Sequence, residues 1–415
     1  MKVYKEPLSP VDKGRAYEHA LMTIRKEWAG QVRDLEPWGA CEVDPEPLEI
    51  NDLNGEILFY EFKVINGKKE SGTVKASASR ALGSPIVTVE FGKRSWDPDK
   101  AAKQAEKKVK EKYPKAEIKD VDVVCYCYPR IGIRVFFSEP DGTEQATIFD
   151  VSNGSEVEIF SDHEEEGSGV YSFYHEYAYP EAAKREYLWD LSDKELEIMK
   201  DRIPRAFDRG FSSKELKDLK ASIAASIQPV HPLSPTPIPI PFYSWRVLRY
   251  APRCTPHDCF ELRGQKTSVY CAVATGQMIL DFYRYYFSQD QIAYAMGTGP
   301  GGTTLNGQVT GYESLSKGCL DATLDTSANW VEAQAEINAN RPLKSGIPGH
   351  ARACAGWKRQ NFHLIWQPLQ RWLKIYDPWP WNPDPCKGGR VYWENWNAVT
   401  HTNFIYVRHR TQTCH

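Results

Sequence analysis

Residues Gly264–Tyr285 read GQKTSVYCAVATGQMILDFYRY, and this stretch predicts a helix that begins at a cysteine. Apolar and small residues recur from Ala272 onward at the three- and four-residue spacing of a helix with one buried face. Cys271 would then lie beside the unpaired N–H groups and the positive dipole end of the helix, which favour a thiolate over a thiol. Gln265, six residues earlier, could donate its side-chain amide to an oxyanion that forms on an attacked carbonyl.

A purely structural interpretation of this stretch stays open at this point. Free cysteine is among the most buried residue types, so a buried helix can begin with one for packing reasons alone. A catalytic thiolate also needs a histidine that takes and returns its proton, and a third group that orients the histidine. The interpretation therefore depends on the residues downstream.

Five histidines follow Cys271, at positions 350, 363, 401, 409 and 415. Only His350 follows a Pro-Gly turn and opens a run in which small residues alternate with larger ones, which is typical of a strand with one tightly packed face. Residues 371–380, RWLKIYDPWP, predict a second strand that ends at Asp377. A carboxylate there can accept the imidazole N–H and fix its tautomer. His363 and His401 are rival bases without this context.

These motifs resemble the papain-like cysteine peptidases: Gln–x5–Cys at a helix start, Gly-His-Ala opening a strand and Tyr-Asp-Pro closing the next. The short spacings are most similar to those of the bacteriocin-processing double-glycine peptidases and their soluble relatives, in which aspartate stands at the position of Asp377. The resemblance covers roughly residues 242–410. It implies a nucleophile, a general acid/base, an orienting residue and an oxyanion donor, which are Cys271, His350, Asp377 and Gln265 in that order. The neighbours Tyr270 and Ala272 depart from those common in relatives, which leaves the substrate preference open.

Composition narrows the possible partners. A net charge of −3 gives no reason to expect nucleic acid or an acidic membrane as a partner. No apolar run approaches the roughly 20 residues that a membrane-spanning helix needs, so we expect no membrane span. The opening residues MKVYKEPLSP contain no apolar segment typical of a signal peptide.

The other distinctive residues do not predict a cofactor. Cys254 and Cys259 flank a histidine like half of a metal site, but a second pair at ligand spacing is missing, so we expect neither metal nor cofactor. A local disulfide between these two cysteines, or free thiols, remain as alternatives. The glycine-rich residues 297–307 lack the lysine of a phosphate-binding loop and predict a surface loop near the cleft. Four tryptophans that follow Asp377 predict either a wall of the site or ordinary core, namely Trp379, Trp381, Trp393 and Trp396.

The first 160 residues predict a pattern of helix followed by antiparallel strands, which occurs twice. A run with six prolines then marks the clearest domain boundary of the chain. We therefore predict an α+β protein in which two small helix-plus-antiparallel-sheet units precede a papain-like catalytic domain, itself a helical part plus an antiparallel sheet. The predicted parts are an N-terminal unit (1–93), a second unit (94–161), a helical connecting segment (162–228), the proline-rich linker (229–241) and the peptidase domain (242–415).

The second unit resembles a PepSY-type module, with a helix that ends in Tyr-Pro, an Asp-Gly turn and a strand that ends in DVSNG. Such modules occur in the propeptides of secreted peptidases. The resemblance implies that the N-terminal region is a propeptide and inhibits the enzyme within the same chain. It also implies a secreted or cell-envelope protein, although a cytoplasmic location stays open. The linker is where an activating cut would find an exposed, unstructured segment.

Three functions are compatible with these residues. The first is a cysteine endopeptidase made as a self-inhibited zymogen, which acts on a peptide or protein substrate. The second is a transglutaminase-like acyltransferase, in which the same Cys-His-Asp site transfers the acyl group to an amine. The third is a catalytically inactive binding protein on a peptidase fold. We favour the first, because all four chemical roles are filled in the expected order.

Overall fold

The computed structural model describes residues 9–29, 38, 41–157, 169–178, 182–202, 242–248, 260–361 and 370–410. Within these ranges the chain is a mixed fold of helices around one large sheet. Several predicted features lie outside the described residues: the proline-rich linker 229–241, the Cys254–Cys259 pair and His363. None of the helices in the described ranges is long and apolar enough to cross a membrane.

The first predicted unit forms a helix and five strands. These are α1 (Lys13–Ala29), β1 (Glu42–Val43), β2 (Leu48–Asn51), β3 (Ile57–Asn66), β4 (Lys69–Ser77) and β5 (Ile86–Phe91). Pro10 lies before α1 and forms a bridge with Ser79, and the carboxylate of Asp12 accepts the backbone N–H of Arg15 in the first turn of α1.

The second predicted unit begins with a helix that is capped by a carboxylate. Asp97 caps α2 and its carboxylate accepts the backbone N–H of Lys100. The elements that follow are α2 (Pro98–Lys112), β6 (Glu117–Cys127), β7 (Arg130–Ser138) and β8 (Glu144–Asp150). A π-helical turn (Tyr174–Ala178) and the long helix α3 (Ala182–Arg202) come next. Tyr128 and Pro129 form the tight turn between β6 and β7.

The C-terminal part has four helices packed on seven strands among the described residues. They are β9 (Phe242–Val247), α4 (Cys271–Phe282), α5 (Gln289–Met296), α6 (Leu305–Leu315), β10 (Leu320–Asp325), α7 (Trp330–Asn338), β11 (Leu343–Ile347), β12 (His350–Asn361), β13 (Arg371–Asp377), β14 (Arg390–Asn395) and β15 (Asn403–His409). Helix α4 begins at Cys271, β12 begins at His350 and β13 ends at Asp377, as the local sequence patterns predict.

All the described strands belong to one sheet. Its order is β10-β15-β11-β12-β13-β14-β5-β4-β3-β2-β6-β7-β8, with β1 on β3 and β9 on β12. The pairings are antiparallel except that of β2 with β6. The N-terminal and C-terminal strands meet where β14 pairs with β5, with Trp393 opposite Val89. The strands of the two predicted N-terminal units therefore continue the sheet of the predicted catalytic domain instead of forming separate sheets.

A buried core spans this junction on one face of the sheet. Helices α1 and α3 pack there against two tryptophans of the C-terminal strands, Trp372 and Trp393, which are almost fully buried. Helix α3 also makes buried polar contacts with β12: the amide of Gln360 donates to Glu195 at 2.6 Å. The two halves are thus joined by backbone pairing, apolar packing and polar contacts together.

Because the N-terminal and C-terminal halves share a sheet and a core, we expect that cleavage of the chain between them does not separate them. We expect a protein cleaved at a protease site inserted between residues 202 and 242 to elute as one complex in size-exclusion chromatography. The backbone bonds of β5 with β14 and the shared tryptophan core remain intact after such a cut. Both fragments should separate in denaturant, which is the control. Separate elution of the two fragments in native buffer would contradict the continuous sheet.

Candidate active site

His350 and Asp377 come together because β12 and β13 are antiparallel neighbours, so that the start of one strand lies beside the end of the other. The preceding turn requires Gly349, whose φ is 65° and which leads directly into the strand. The imidazole Nε2 lies 2.7 Å from Asp377 Oδ1, and both side chains are fully buried. This is the geometry in which a carboxylate orients a catalytic histidine.

Asp377 is held as a carboxylate despite its burial. Burial by itself raises the pKa of Asp377, but His350, Arg390 and the backbone N–H of Trp379 hold it well below its usual range. The Trp379 N–H donates to Oδ1 at 2.9 Å, and the hydroxyl of Tyr392 donates to Oδ2 at 3.2 Å. The charge needed to orient an imidazole is therefore present throughout the neutral pH range.

His350 is neutral in this structure. Burial lowers its pKa to about 4, and Arg130 and Arg352 act in the same direction, whereas Asp377 opposes them. Because Nε2 is hydrogen-bonded to Asp377, the other ring nitrogen, Nδ1, is the one that can exchange a proton with a nucleophile.

Cys271 is the first residue of α4, at the end of the helix where backbone N–H groups have no partner within the helix. The preceding residue, Tyr270, makes no side-chain capping bond there. Cys271 is fully buried in a small cluster with Ala272 and Ala351, the residue that follows His350. The structure thus places the predicted nucleophile, base and orienting residue in one region.

Gln265 lies in the loop before α4 and is fully buried. Its side-chain nitrogen donates to the backbone carbonyls of Thr267 and Ser268 at 2.7 and 2.9 Å. Both amide hydrogens are therefore used within the loop, while the amide oxygen is buried without a hydrogen bond among the described residues. Donation to an oxyanion would require the amide to turn over, so this role stays a prediction.

The loop that carries Gln265 is fixed by close backbone contact between two glycines. A Cβ on Gly264 would lie 2.4 Å from the Cα of Gly388, which is far below van der Waals distance. We expect Gly264→Ala to lower the free energy of unfolding by about 1–3 kcal/mol, measured by denaturant titration, because backbone must move to admit the methyl group. Gly299→Ala, where a Cβ meets nothing within 4 Å, is the matched control and should change it much less. Equal effects of the two substitutions would contradict this packing.

The turn between β6 and β7 lies against His350 of the candidate site, and the sequence did not predict this. Arg130 Nη2 lies 3.5 Å from His350 Nδ1, and the guanidinium lies 4.5 Å from the centre of the Trp379 ring. Arg390 donates to the Pro129 carbonyl at 2.9 Å, and the hydroxyl of Tyr128 donates to Glu394 at 2.8 Å. One sequence signal points to Arg130: it is a charged residue within the apolar run 123–137, where charges are rare unless paired.

Buried charges extend from this turn along β12 and β14. Arg352 donates to Glu394 at 2.6 Å, with both side chains fully buried. Arg390 lies 3.4 Å from Glu90 of β5 and 3.5 Å from Asp377. The site is therefore an ionic network that includes residues from both halves of the chain.

The rival features have other contacts than the His350–Asp377 pair. His401 hydrogen-bonds Ser345 at 2.8 Å, stacks on Trp396 and lies 3.7 Å from Glu394 of the ionic network. Trp379 contacts the site through Arg130, whereas Trp393 is part of the junction core. Among the described residues, no group of three or more His, Cys, Asp and Glu side chains could hold a metal ion.

The cysteines are used in two ways. Cys319 and Cys386 each take part in a disulfide bond. The cysteines of the described part of the chain that are not in a disulfide are all buried, and these are Cys41, Cys125, Cys127, Cys271 and Cys354. The presence of disulfides bears on the compartment in which the chain folds.

Comparison with solved structures finds weak likenesses, two of which are to peptidase domains. The peptidase domain of Streptococcus ComA, a bifunctional ABC transporter involved in quorum sensing, is 18% identical, with 36% of this chain and 99% of that chain covered and a TM-score of 0.27. A double-glycine-motif protease from an AMS/PCAT transporter, in complex with its leader peptide, is 12% identical, with 40% and 99% covered and a TM-score of 0.26. No family model and no curated protein matches the chain. The likeness to peptidase domains thus concerns only a little more than a third of the chain.

Proposed function

We propose that the protein is a cysteine endopeptidase whose nucleophile is Cys271. The observation that carries the proposal is the 2.7 Å pair of His350 with Asp377, fully buried and next to the cluster that contains Cys271. A thiol at a helix start, an imidazole with one nitrogen fixed by a carboxylate, and that carboxylate held ionised are the three parts that a cysteine nucleophile requires. Three separate elements supply them, which favours a functional reason over a packing accident.

The proposed reaction proceeds through an acyl-enzyme. His350 Nδ1 takes the proton of the Cys271 thiol, and the sulfur attacks the scissile carbonyl. The tetrahedral oxyanion is stabilised by the backbone N–H of Cys271 and, once its amide turns, by Gln265. The C–N bond breaks as the imidazolium gives its proton to the leaving amine. Water, deprotonated by His350, then releases the acid product and regenerates the thiol.

The enzyme would be latent in the arrangement seen here. Cys271, His350, Asp377 and Gln265 are all fully buried, and the β6–β7 turn lies directly over His350. A peptide substrate therefore cannot reach the sulfur until this turn moves. This supports the proposal that the N-terminal region inhibits the enzyme within the same chain. Since the two halves share a sheet, a cut in the linker would not by itself remove the inhibitor.

The disulfides support the proposal that the protein is exported. Disulfide bonds persist in oxidising compartments and are rare in the cytosol. Cys319 and Cys386, both in the catalytic half, are disulfide-bonded. A secreted or cell-envelope location would also suit an enzyme that is made latent and activated later.

Incubation with a mixture of synthetic peptides tests the proposed reaction. A high enzyme concentration and a long incubation are needed, because we expect slow peptide hydrolysis from a covered site. We expect new peptide amino termini by mass spectrometry, without ammonia release or crosslinked products. Ammonia and crosslinks would instead indicate acyl transfer to an amine. Binding of peptides without any reaction would indicate an inactive binding protein.

A further inference from the structure

The tip of the β6–β7 hairpin places a positive charge at the one nitrogen of His350 that catalysis needs. Nε2 is bonded to Asp377, and Arg130 Nη2 faces Nδ1 at 3.5 Å. A guanidinium does not lose its proton in proteins, so it cannot accept one from His350. If His350 were protonated, its positive charge would face the like charge of the Arg130 guanidinium inside a buried site.

We propose that Arg130 is a regulatory residue that keeps the enzyme off by suppressing the protonated form of His350, and that withdrawal of the β6–β7 turn is the activating step. This inference rests on the proposed peptidase function and specifies how the same site is regulated. The acylation step needs the imidazolium, because it is the acid that protonates the leaving amine. The covered state is thus disabled chemically as well as closed to substrate.

The charged and titratable groups around His350 come from every neighbouring element. Asp377 at the end of β13 favours the imidazolium, while Arg130 from β7 and Arg352 from β12 disfavour it. Among the described residues, Cys271 lies at the start of α4, Arg390 and Tyr392 of β14 contact Asp377, and Cys127 of β6 interacts with Arg130 and Asp377. Arg352 has Glu394 as a buried partner at 2.6 Å, and Arg130 has Asp150 of β8 as a neighbouring carboxylate. The two arginines differ in position, because Arg130 lies next to the turn and is the one that can leave with it.

Contacts with both halves of the chain hold the turn in place. The Tyr128 ring packs against Phe59 and Phe173 and the Tyr128 carbonyl accepts from Tyr171, while further contacts reach the C-terminal half. The Arg130 guanidinium lies 4.5 Å from the centre of the Trp379 ring, a cation–π contact. The Pro129 carbonyl accepts from Arg390, and the Tyr128 hydroxyl donates to Glu394. Since none of these contacts involves residues 203–241, the turn can stay in place when the chain is cut there. Activation then requires something that competes for the contacts of the turn with the C-terminal half.

Titration of His350 by NMR in the full-length protein tests the proposal, with Arg130→Gln and Arg130→Lys compared with the wild type. The glutamine variant removes the charge at similar size, and we expect it to raise the pKa of His350 by about one unit or more. The lysine variant keeps the charge and should keep the pKa near the wild-type value. Tyr128→Phe loosens the same turn without a change of charge and is the matched control, with no shift expected. One pKa unit is a tenfold change in the imidazolium population of the covered state. Peptide hydrolysis should rise as well, because the glutamine variant also loses the cation–π contact with Trp379 that holds the turn over the site.

An unchanged His350 pKa in Arg130→Gln would overturn the proposal, even if peptide hydrolysis is observed. A raised pKa without any hydrolysis would retain the role of Arg130 and overturn the peptidase function instead. Circular dichroism establishes that each variant is folded. If Arg130→Gln does not fold, Trp379→Leu releases the guanidinium from its aromatic contact. It must then raise the same pKa, and an unchanged value in that variant would also overturn the proposal.

Discussion

Replacement of Cys271 by alanine is expected to lower the rate of peptide hydrolysis by about 10⁴-fold or more, because removal of a covalent nucleophile leaves only binding and oxyanion stabilisation. The rate is measured from new amino termini in a peptide mixture under reducing conditions. Alanine at a helix start is compatible with the α4 geometry, and the cluster with Ala272 and Ala351 loses only a sulfur atom. The variant should therefore fold and still bind substrate.

Cys354→Ala is the matched control for this prediction. Cys354 is also a free, fully buried cysteine of the C-terminal part, and burial raises its pKa to about 12, so that it stays a thiol. It lies four residues after His350 on β12 but has no part in the proposed reaction. We expect its hydrolysis rate to remain within a few-fold of wild type. Equal losses in the two variants would mean that hydrolysis does not depend on Cys271 as a nucleophile.

Replacement of Glu394 by alanine is expected to lower the free energy of unfolding by about 3–5 kcal/mol, the largest stability effect that we predict. Arg352 donates to Glu394 at 2.6 Å and neither side chain is exposed, so the substitution leaves a buried guanidinium without its counter-charge. The Tyr128 hydroxyl loses its acceptor at the same time. Denaturant unfolding at neutral pH measures the effect.

The double variant Glu394→Ala with Arg352→Met separates the cost of a lost contact from the cost of an unpaired charge. We expect it to recover a large part of the stability, because the buried charge is removed together with its partner. Glu156→Ala is a control in which a surface ion pair with Lys112 is lost, and it should have little effect. If Glu394→Ala is no more destabilising than Glu156→Ala, Arg352 and Glu394 are not a desolvated pair.

The local parts of the site were predictable from the sequence because they depend on neighbouring residues. Helical periodicity and alternation of small residues predicted that α4 begins at Cys271 and β12 at His350, and the Asp-Pro sequence predicted where β13 ends. The 2.7 Å contact of His350 with Asp377 then follows from the antiparallel pairing of consecutive strands, which is the commonest connection.

The long-range parts could not be predicted in this way. Arg130 and His350 are 220 residues apart, and Arg390 and Glu90 are 300 residues apart. Repeated helix-and-strand patterns in the first 160 residues predicted small separate units, since no local signal tells which edge strand pairs with which. The pairing of β5 with β14 joins the edge of the N-terminal strands to the edge of the C-terminal strands, and it brings the β6–β7 turn over the site. The covering of His350, on which the proposed latent state depends, is therefore visible only in the folded chain.

The rates at which a small thiol-directed alkylating agent labels each cysteine of the native protein test the central claim most directly. Cys271 and Cys354 are both outside disulfide bonds and fully buried, so a difference in their labelling rates does not come from static exposure. We predict that peptide mapping shows Cys271 labelled about tenfold faster or more than Cys354, because opening of the turn exposes a thiolate only at Cys271. Labelling of Cys271 no faster than that of Cys354 would contradict the assignment of Cys271 as an activated nucleophile.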